Sequence, residues 1–169
     1  MAERPIVIYG DPILREVSQP VRQLPDQEIK DLVSEMADTL KKARGLGLSA
    51  VQIGVLKRVF IVDLSVVDIK ETLRVFINPE IVETSGEVEF EEGCLSFPGL
   101  YQKIVRPAEV RARATDLGGN QFEIKAGGLV ARAILHEYDH LEGVLFIDHL
   151  SSLARTLIRG RLKKLAKVS

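Results

Sequence analysis

His136-Glu137-Tyr138-Asp139-His140 sets two imidazoles four residues apart. On a helix that spacing puts both on one face, one turn apart, where they can serve as ligands to a single metal ion. The bare pattern arises often by chance, so its setting has to decide. Leu129, Val130, Ala131, Ala133, Ile134 and Leu135 lead into it with only Arg132 between them, which predicts a helix buried on nearly every side. Two histidines and a glutamate in such surroundings are costly to desolvate unless something pairs with them, and a divalent cation pairs with all of them at once.

A catalytic centre of this kind needs three protein ligands and an open fourth position. Cys94, the only cysteine, lies in Glu91-Glu92-Gly93-Cys94-Leu95-Ser96-Phe97-Pro98. Gly93 loosens the backbone beside the thiol, and Pro98 limits a paired strand, as expected where a chain leaves a sheet to reach a site. Cys94, His136 and His140 would hold the ion, the cysteine as thiolate. That donor set suits Zn(2+), and equally Fe(2+), Co(2+) or Ni(2+). His149, nine residues beyond His140, reads instead as a structural or surface residue. A lone cysteine excludes an internal disulfide and suits a reducing, cytoplasmic setting. Glu91 and Glu92 are neighbours on a strand-like run, so they point to opposite faces and do not form a carboxylate pair. A buried Glu92 needs neutralising, and Arg106 or Arg132 is expected to do it.

The elements that must position these groups are legible in outline. With 169 residues, 46% hydrophobic and 28% charged, the chain is expected to form one domain, 1–169, and to fold without a partner. Asp26 as N-cap, a stripe of Ile29, Leu32, Val33, Met36, Ala37 and Leu40, and Gly45 as terminator predict an amphipathic helix. Residues 58–64, 73–77, 81–83, 104–105, 108–114 and 121–125 read as strands, with a hairpin turn at 116–120. Residues 151–169 read as a basic amphipathic helix in which Leu153, Leu157, Leu162 and Leu165 pack on the domain. The fold class is α+β: antiparallel or mixed sheets wrapped around a central buried helix that carries the two histidines. No stretch approaches membrane-spanning length, and no secretory leader is visible. Gly45 and Gly47 suggest a phosphate loop at first sight, but no lysine-serine pair follows and no dinucleotide fingerprint is completed.

Three segments, Gly45-Leu46-Gly47-Leu48-Ser49-Ala50-Val51-Gln52, Glu92-Gly93-Cys94-Leu95-Ser96 and His136-Glu137-Tyr138-Asp139-His140, resemble the peptide deformylase family in order and spacing. The family usually has alanine where Ser49 stands. The resemblance implies a metal-dependent hydrolase that removes the N-formyl group from the first methionine of new polypeptides and releases formate. It implies Cys94, His136 and His140 as ligands, Glu137 as general base and acid, and the Gln52 side-chain amide with the Leu95 backbone N–H as donors to the oxyanion. Ferrous iron is the family's usual physiological ion, with zinc a frequent occupant after purification. Gly47 would pair with an extended substrate as an added strand does. By the same resemblance Leu46, Phe90, Leu129, Ala133 and the flank of His136 would receive the methionine side chain.

Two other readings share these residues. A zinc endopeptidase also uses this helical motif, but usually takes its third ligand downstream. A structural metal site would favour four protein ligands, and three good ones are evident. Residues 151–169 hold six of the 23 basic residues and no acidic one, which leaves 17 against 24 for the rest of the chain. So sharp a contrast suggests an anionic partner. Together with the resemblance it points to ribosomal RNA or its neighbouring proteins, bound through charge and not through base-specific contacts.

Overall fold

A computed structural model describes residues 3–66 and 68–168. Helix α1, Gln27–Ala43, starts where Asp26 accepts a hydrogen bond from the Glu28 N–H, and it buries Ile29, Leu32, Val33, Met36 and Leu40. It ends one residue earlier than the glycine suggests. Arg44, at φ 58°, takes the left-handed cap position. Gly45 serves another purpose: a Cβ there would stand 2.8 Å from Leu95 Cδ1 and 3.0 Å from Leu40 Cδ1.

Seven strands follow: β1 Gly47–Ser49, β2 Val59–Asp63, β3 Leu73–Ser85, β4 Val88–Gly93, β5 Tyr101–Arg106, β6 Glu109–Thr115 and β7 Gln121–Gly127. They form a five-stranded sheet in the order β1-β2-β3-β6-β7 and a separate β4-β5 ribbon. Every ladder is antiparallel, and parallel pairing among the described residues is limited to the isolated bridge Gln19–Lys57. Residues 73–77 and 81–83, expected as two strands, belong to the single strand β3. Its register against β6 shifts around Asn78-Pro79. Asn78 adopts φ 50°, and its side-chain amide trades two 2.8 Å hydrogen bonds with the Val21 backbone, so the chain crosses an apparent break without losing its partners.

Strand β2 explains how the layers stack. Its alternate side chains face opposite ways: Val59 and Ile61 join Met36, Leu40 and Leu48 under α1, whereas Phe60 and Val62 join Phe76, Ala112 and Ile134 on the other side. That second face is covered by α2, Gly128–Leu141, which meets β1, β2, β6 and β7. The helix is buried from Ala131 to Glu137 and again at His140 and Leu141. Its first turn is not, and Leu129 is 40% exposed.

The C-terminal segment departs from the expected single helix. It forms α3, Ser152–Leu157, and α4, Arg159–Val168, with Ile158 at the bend. The bend turns the apolar stripe: Ile158 and Leu162 are buried in a third core cluster with Phe97, Leu100 and Phe146, and Leu165 packs on its edge. Leu153 and Leu157 are 69% and 75% exposed, so these two do not pack on the domain. None of the helices among the described residues is long and apolar enough to cross a membrane.

Candidate metal centre and substrate cavity

Successive turns of α2 carry His136 and His140, and Cys94 follows directly on β4. One ligand atom from each lies within 4.8 Å of the others. Cys94 Sγ and His140 Nε2 are 3.4 Å apart. Metal–sulfur and metal–nitrogen bonds of about 2.3 and 2.0 Å at tetrahedral angles place such ligands roughly 3.5 Å apart, so the geometry suits a shared ion. His136 Nδ1 meets Glu92 Oε1 at 2.5 Å, which leaves Nε2 for a metal, the carboxylate–histidine arrangement that orients ligating imidazoles. Burial holds His140 well below its ordinary pKa, so its ring is neutral and offers a lone pair. Burial also pushes His136 down, but Cys94 and Glu92 more than reverse this and raise it well above the ordinary value. The donor set and its surroundings fit a divalent ion.

Glu92 is held by both of the arginines proposed for it. Arg106 grips it through Nε and Nη2 at 2.8 and 2.7 Å, and Arg132 Nη1 adds a bond of 2.8 Å. Burial alone would raise the carboxyl's pKa; the hydrogen bonds from Arg106 and His136 outweigh it and hold the group well below the usual carboxylate range. Arg106 Nη1 also reaches Asp139 Oδ2 at 3.0 Å, and His149 Nε2 meets the same oxygen at 2.8 Å. His149 thus stands at the outer end of this chain of charges, away from the three ligand atoms.

Glu137 lies beside the triad, buried, with Oε1 unpartnered. Burial raises its pKa to about 7, although His136 pulls the other way. Gly47 packs so closely on this carboxylate that a Cβ would lie 3.0 Å from Oε2. Gln52 sits in the 3-10 turn Ala50–Ile53. Its Oε1 accepts from the Ser49 N–H at 3.0 Å and the Ser49 hydroxyl at 3.1 Å. Its Nε2 donates to Ser96 Oγ at 3.1 Å and Cys94 Sγ at 3.6 Å. Residues 7 and 9, to which the sequence assigned nothing, tie the two loops together: the Val7 N–H donates to the Gln52 carbonyl and the Tyr9 N–H to that of Ser96.

Cys94, His136, Glu137, Gln52 and Glu92 border a cavity of about 410 Å³, whose lining also includes Leu46, Gly47, Leu95, Leu129 and Ala133; His140 is not part of that wall. Phe90 is absent from that lining. It is 56% exposed on β4, and the Arg132 guanidinium covers its ring at 5.9 Å. A larger hollow, about 480 Å³, lies between Tyr9 and the C-terminal helices, but Arg155, Arg159 and Lys163 line it and no ligand triad does. Volume alone would choose the wrong place.

Comparison with known proteins now decides the family. Residues 3–156 match the family model described as polypeptide deformylase. The chain belongs to the polypeptide deformylase family. Peptide deformylase of Polynucleobacter necessarius is 45% identical over 168 residues, covering 99% of this chain and 96% of its relative. That of Cellvibrio japonicus is 46% identical over 165 residues, 97% of this chain and 96% of the other. The crystal structure of a peptide deformylase from Legionella pneumophila superposes with a TM-score of 0.90 at 45% identity, covering 99% of this chain and 97% of that one. The Thermus thermophilus peptide deformylase gives 0.88 at 36% identity over 97% and 98%.

Two further features bear on the site. The match to the family model ends inside α3, whereas the Polynucleobacter relative aligns with 99% of the chain, so the similarity extends into the basic helix α4. Ser96, fully buried and bonded to Gln52, is a site residue the sequence reading quoted but gave no role. Its position two residues after Cys94, beside a proposed oxyanion donor, was the available signal.

Proposed function

We propose that the cavity beside Cys94, His136 and His140 is the deformylation site of this chain. The activity follows from family membership: the chain is a metal-dependent hydrolase that removes the N-formyl group from newly made polypeptides. One observation carries the assignment of the site. A buried carboxylate with an unpartnered oxygen, Glu137, adjoins three convergent soft and borderline ligands at the wall of a substrate-sized cavity.

A divalent ion bound there supplies Lewis acidity, acidifying a water and polarising a carbonyl. Glu137, with a pKa raised to about 7 by burial, is poised to accept that water's proton near neutral pH. As water adds to the formyl carbon, Gln52 Nε2 and the Leu95 N–H donate to the oxygen on which charge grows. Glu137 then returns the proton to the departing amine, which leaves formate and a free N-terminus. Gly47, at the end of the sheet's edge strand β1, lets the peptide backbone approach Glu137 and pair as an added strand. Leu46, Leu129, Ala133 and the flank of His136 receive the methionine side chain; Phe90, off the cavity wall, is left out of that pocket.

Ferrous iron is the ion we assign in the cell, with zinc, nickel or cobalt able to replace it, because a thiolate and two imidazoles accept all four. The chain acts as one catalytic domain in the cytoplasm. Its basic C-terminal helices hold it near the ribosome, a reading supported by Arg159, Lys163, Lys164 and Lys167 all facing solvent. Anaerobic purification with metal quantification and a formate-release assay on the same sample tests the site. One equivalent of metal and formate from formyl-Met-Ala-Ser support it; cleavage of internal peptide bonds without formate release would favour the endopeptidase reading.

A further inference from the structure

A glutamine amide has two ends of nearly the same shape and opposite function: one oxygen that only accepts, one NH₂ that only donates. Gln52 serves as an oxyanion donor only while Nε2 faces the cavity. The orientation is enforced at both ends. The Ser49 backbone N–H can only donate, so Oε1 must face it, at 3.0 Å. The Cys94 sulfur lies 3.6 Å from the other end and would repel a carbonyl oxygen there. Neither contact fixes the plane of the amide. The Ser49 hydroxyl does: it reaches Oε1 from a second direction at 3.1 Å, and Gln52 Oε1 is its hydrogen-bond partner. Both residues are sealed from water, at 0% and 1% exposure, so no solvent molecule competes for that oxygen.

We propose that the Ser49 hydroxyl is a positioning group for deformylation, locking the Gln52 amide with Nε2 toward the substrate oxygen. It acts through Gln52 and touches no reacting atom. Two hydrogen bonds on Oε1 fix the amide plane and also draw electron density from the amide nitrogen, which makes Nε2–H a stronger donor. Ser96 Oγ, 3.1 Å from Nε2, completes the cradle. The proposal rests on the reading of Gln52 as an oxyanion donor, and the test separates the two.

The experiment is a double-mutant cycle of Ser49→Ala and Gln52→Leu, with thermal melting, metal content, kcat and KM measured for all four proteins. Ser49→Ala should lower kcat about three- to tenfold, the worth of one neutral hydrogen bond, with KM and metal content unchanged. In the Gln52→Leu background the same substitution should do nothing further, because the amide it positions is gone. In the zinc-loaded protein, the Gln52 side-chain NH₂ signals should be sharp in the ¹⁵N spectrum of the parent and broadened in Ser49→Ala. Equal losses in both backgrounds would mean that the hydroxyl is only structural and would overturn the proposal. So would an unchanged kcat and an unchanged NH₂ signal in Ser49→Ala beside a large loss in Gln52→Leu. An unchanged kcat in Gln52→Leu itself would remove the donor reading, and the proposal with it.

Discussion

At the scale of single residues, Glu137 combines properties that rarely coincide by accident. It is buried, one oxygen has no partner, and burial brings its proton affinity close to neutral. Only the deprotonated form can act as base, so kcat/KM should fall as pH drops. The acid limb should lie between the ordinary carboxylate value of about 4.3 and about 7, because a cation in the triad lowers the value that burial raises. A pH–rate profile with no acid limb in that interval would argue against Glu137 as the base. Glu137→Ala should keep fold and metal while losing about 10²–10⁴ in kcat; metal analysis and formate release on the same preparation check both halves. Cys94→Ser replaces a soft ligand with a harder one and should weaken metal retention and depress activity. A fully metallated, active serine variant would exclude Cys94 as a ligand. Glu92 differs in kind, because it carries structure as well as orientation. Glu92→Gln leaves two buried guanidiniums against a neutral amide whose NH₂ faces donors, a cost of about 3–5 kcal/mol. Chemical denaturation should register that loss, together with faster release of the metal as His136 loses its anchor.

At the scale of elements, the junction of the C-terminal helices with the rest of the fold depends on one carboxylate. Asp148, in the 3-10 turn Phe146–His149, accepts from Arg15 at 2.6 and 3.1 Å, from Arg155 at 3.2 Å and from the Leu145 N–H at 2.9 Å. Burial pulls its pKa up, but these donors outweigh it and the net shift is downward. A carboxylate with a lowered folded pKa contributes stability that is present above its unfolded value and lost as pH falls through the folded one. Asp148→Asn should therefore destabilise the protein at neutral pH, and melting curves of parent and variant should converge as pH falls below the ordinary aspartate value. Elements whose sequence carries its own period were legible: the stripe of α1, the apolar run of α2 and the turn at residues 116–120 all lie where the pattern put them. The site motifs also met in space as their spacing implied, because two ligands one helical turn apart need only one further residue brought to them. What escaped was set by neighbours. Gly47–Ser49 has no strand propensity and becomes β1 because β2 pairs with it. Asn78-Pro79 reads as a break, yet the Asn78 side chain supplies the bonds the backbone gives up. Phe90 was assigned to the pocket by resemblance, but Arg132, which covers its ring, lines the cavity in its place, and Phe90 is left 56% exposed.

At the scale of the whole molecule, the separation of charge is the feature most open to test, and the structure changes how to test it. Deleting the basic segment would also remove Ile158 and Leu162, which fill the cluster around Phe97, Leu100 and Phe146, so lost binding could reflect a damaged core. The six basic residues are not equivalent either. Arg155 is committed to Asp148, and Arg161 Nη2 donates to the Gly99 carbonyl at 3.2 Å. Arg159, Lys163, Lys164 and Lys167 are exposed on α4 and available to an anionic partner. Neutralising these four to glutamine removes the charge and keeps every buried leucine. If ribosomal RNA is the partner, each phosphate neutralised adds roughly 0.7–0.9 to the steepness with which log K falls against log salt. The parent should then co-sediment with ribosomes at low salt and be released steeply as salt rises. The fourfold variant should bind more weakly with a visibly shallower slope, while its kcat/KM on a free formyl-Met tripeptide serves as the control for an intact site. Equal co-sedimentation and equal slope for parent and variant would mean that the charge of α4 only keeps the protein in solution, and that whatever holds a deformylase near nascent chains lies on another face.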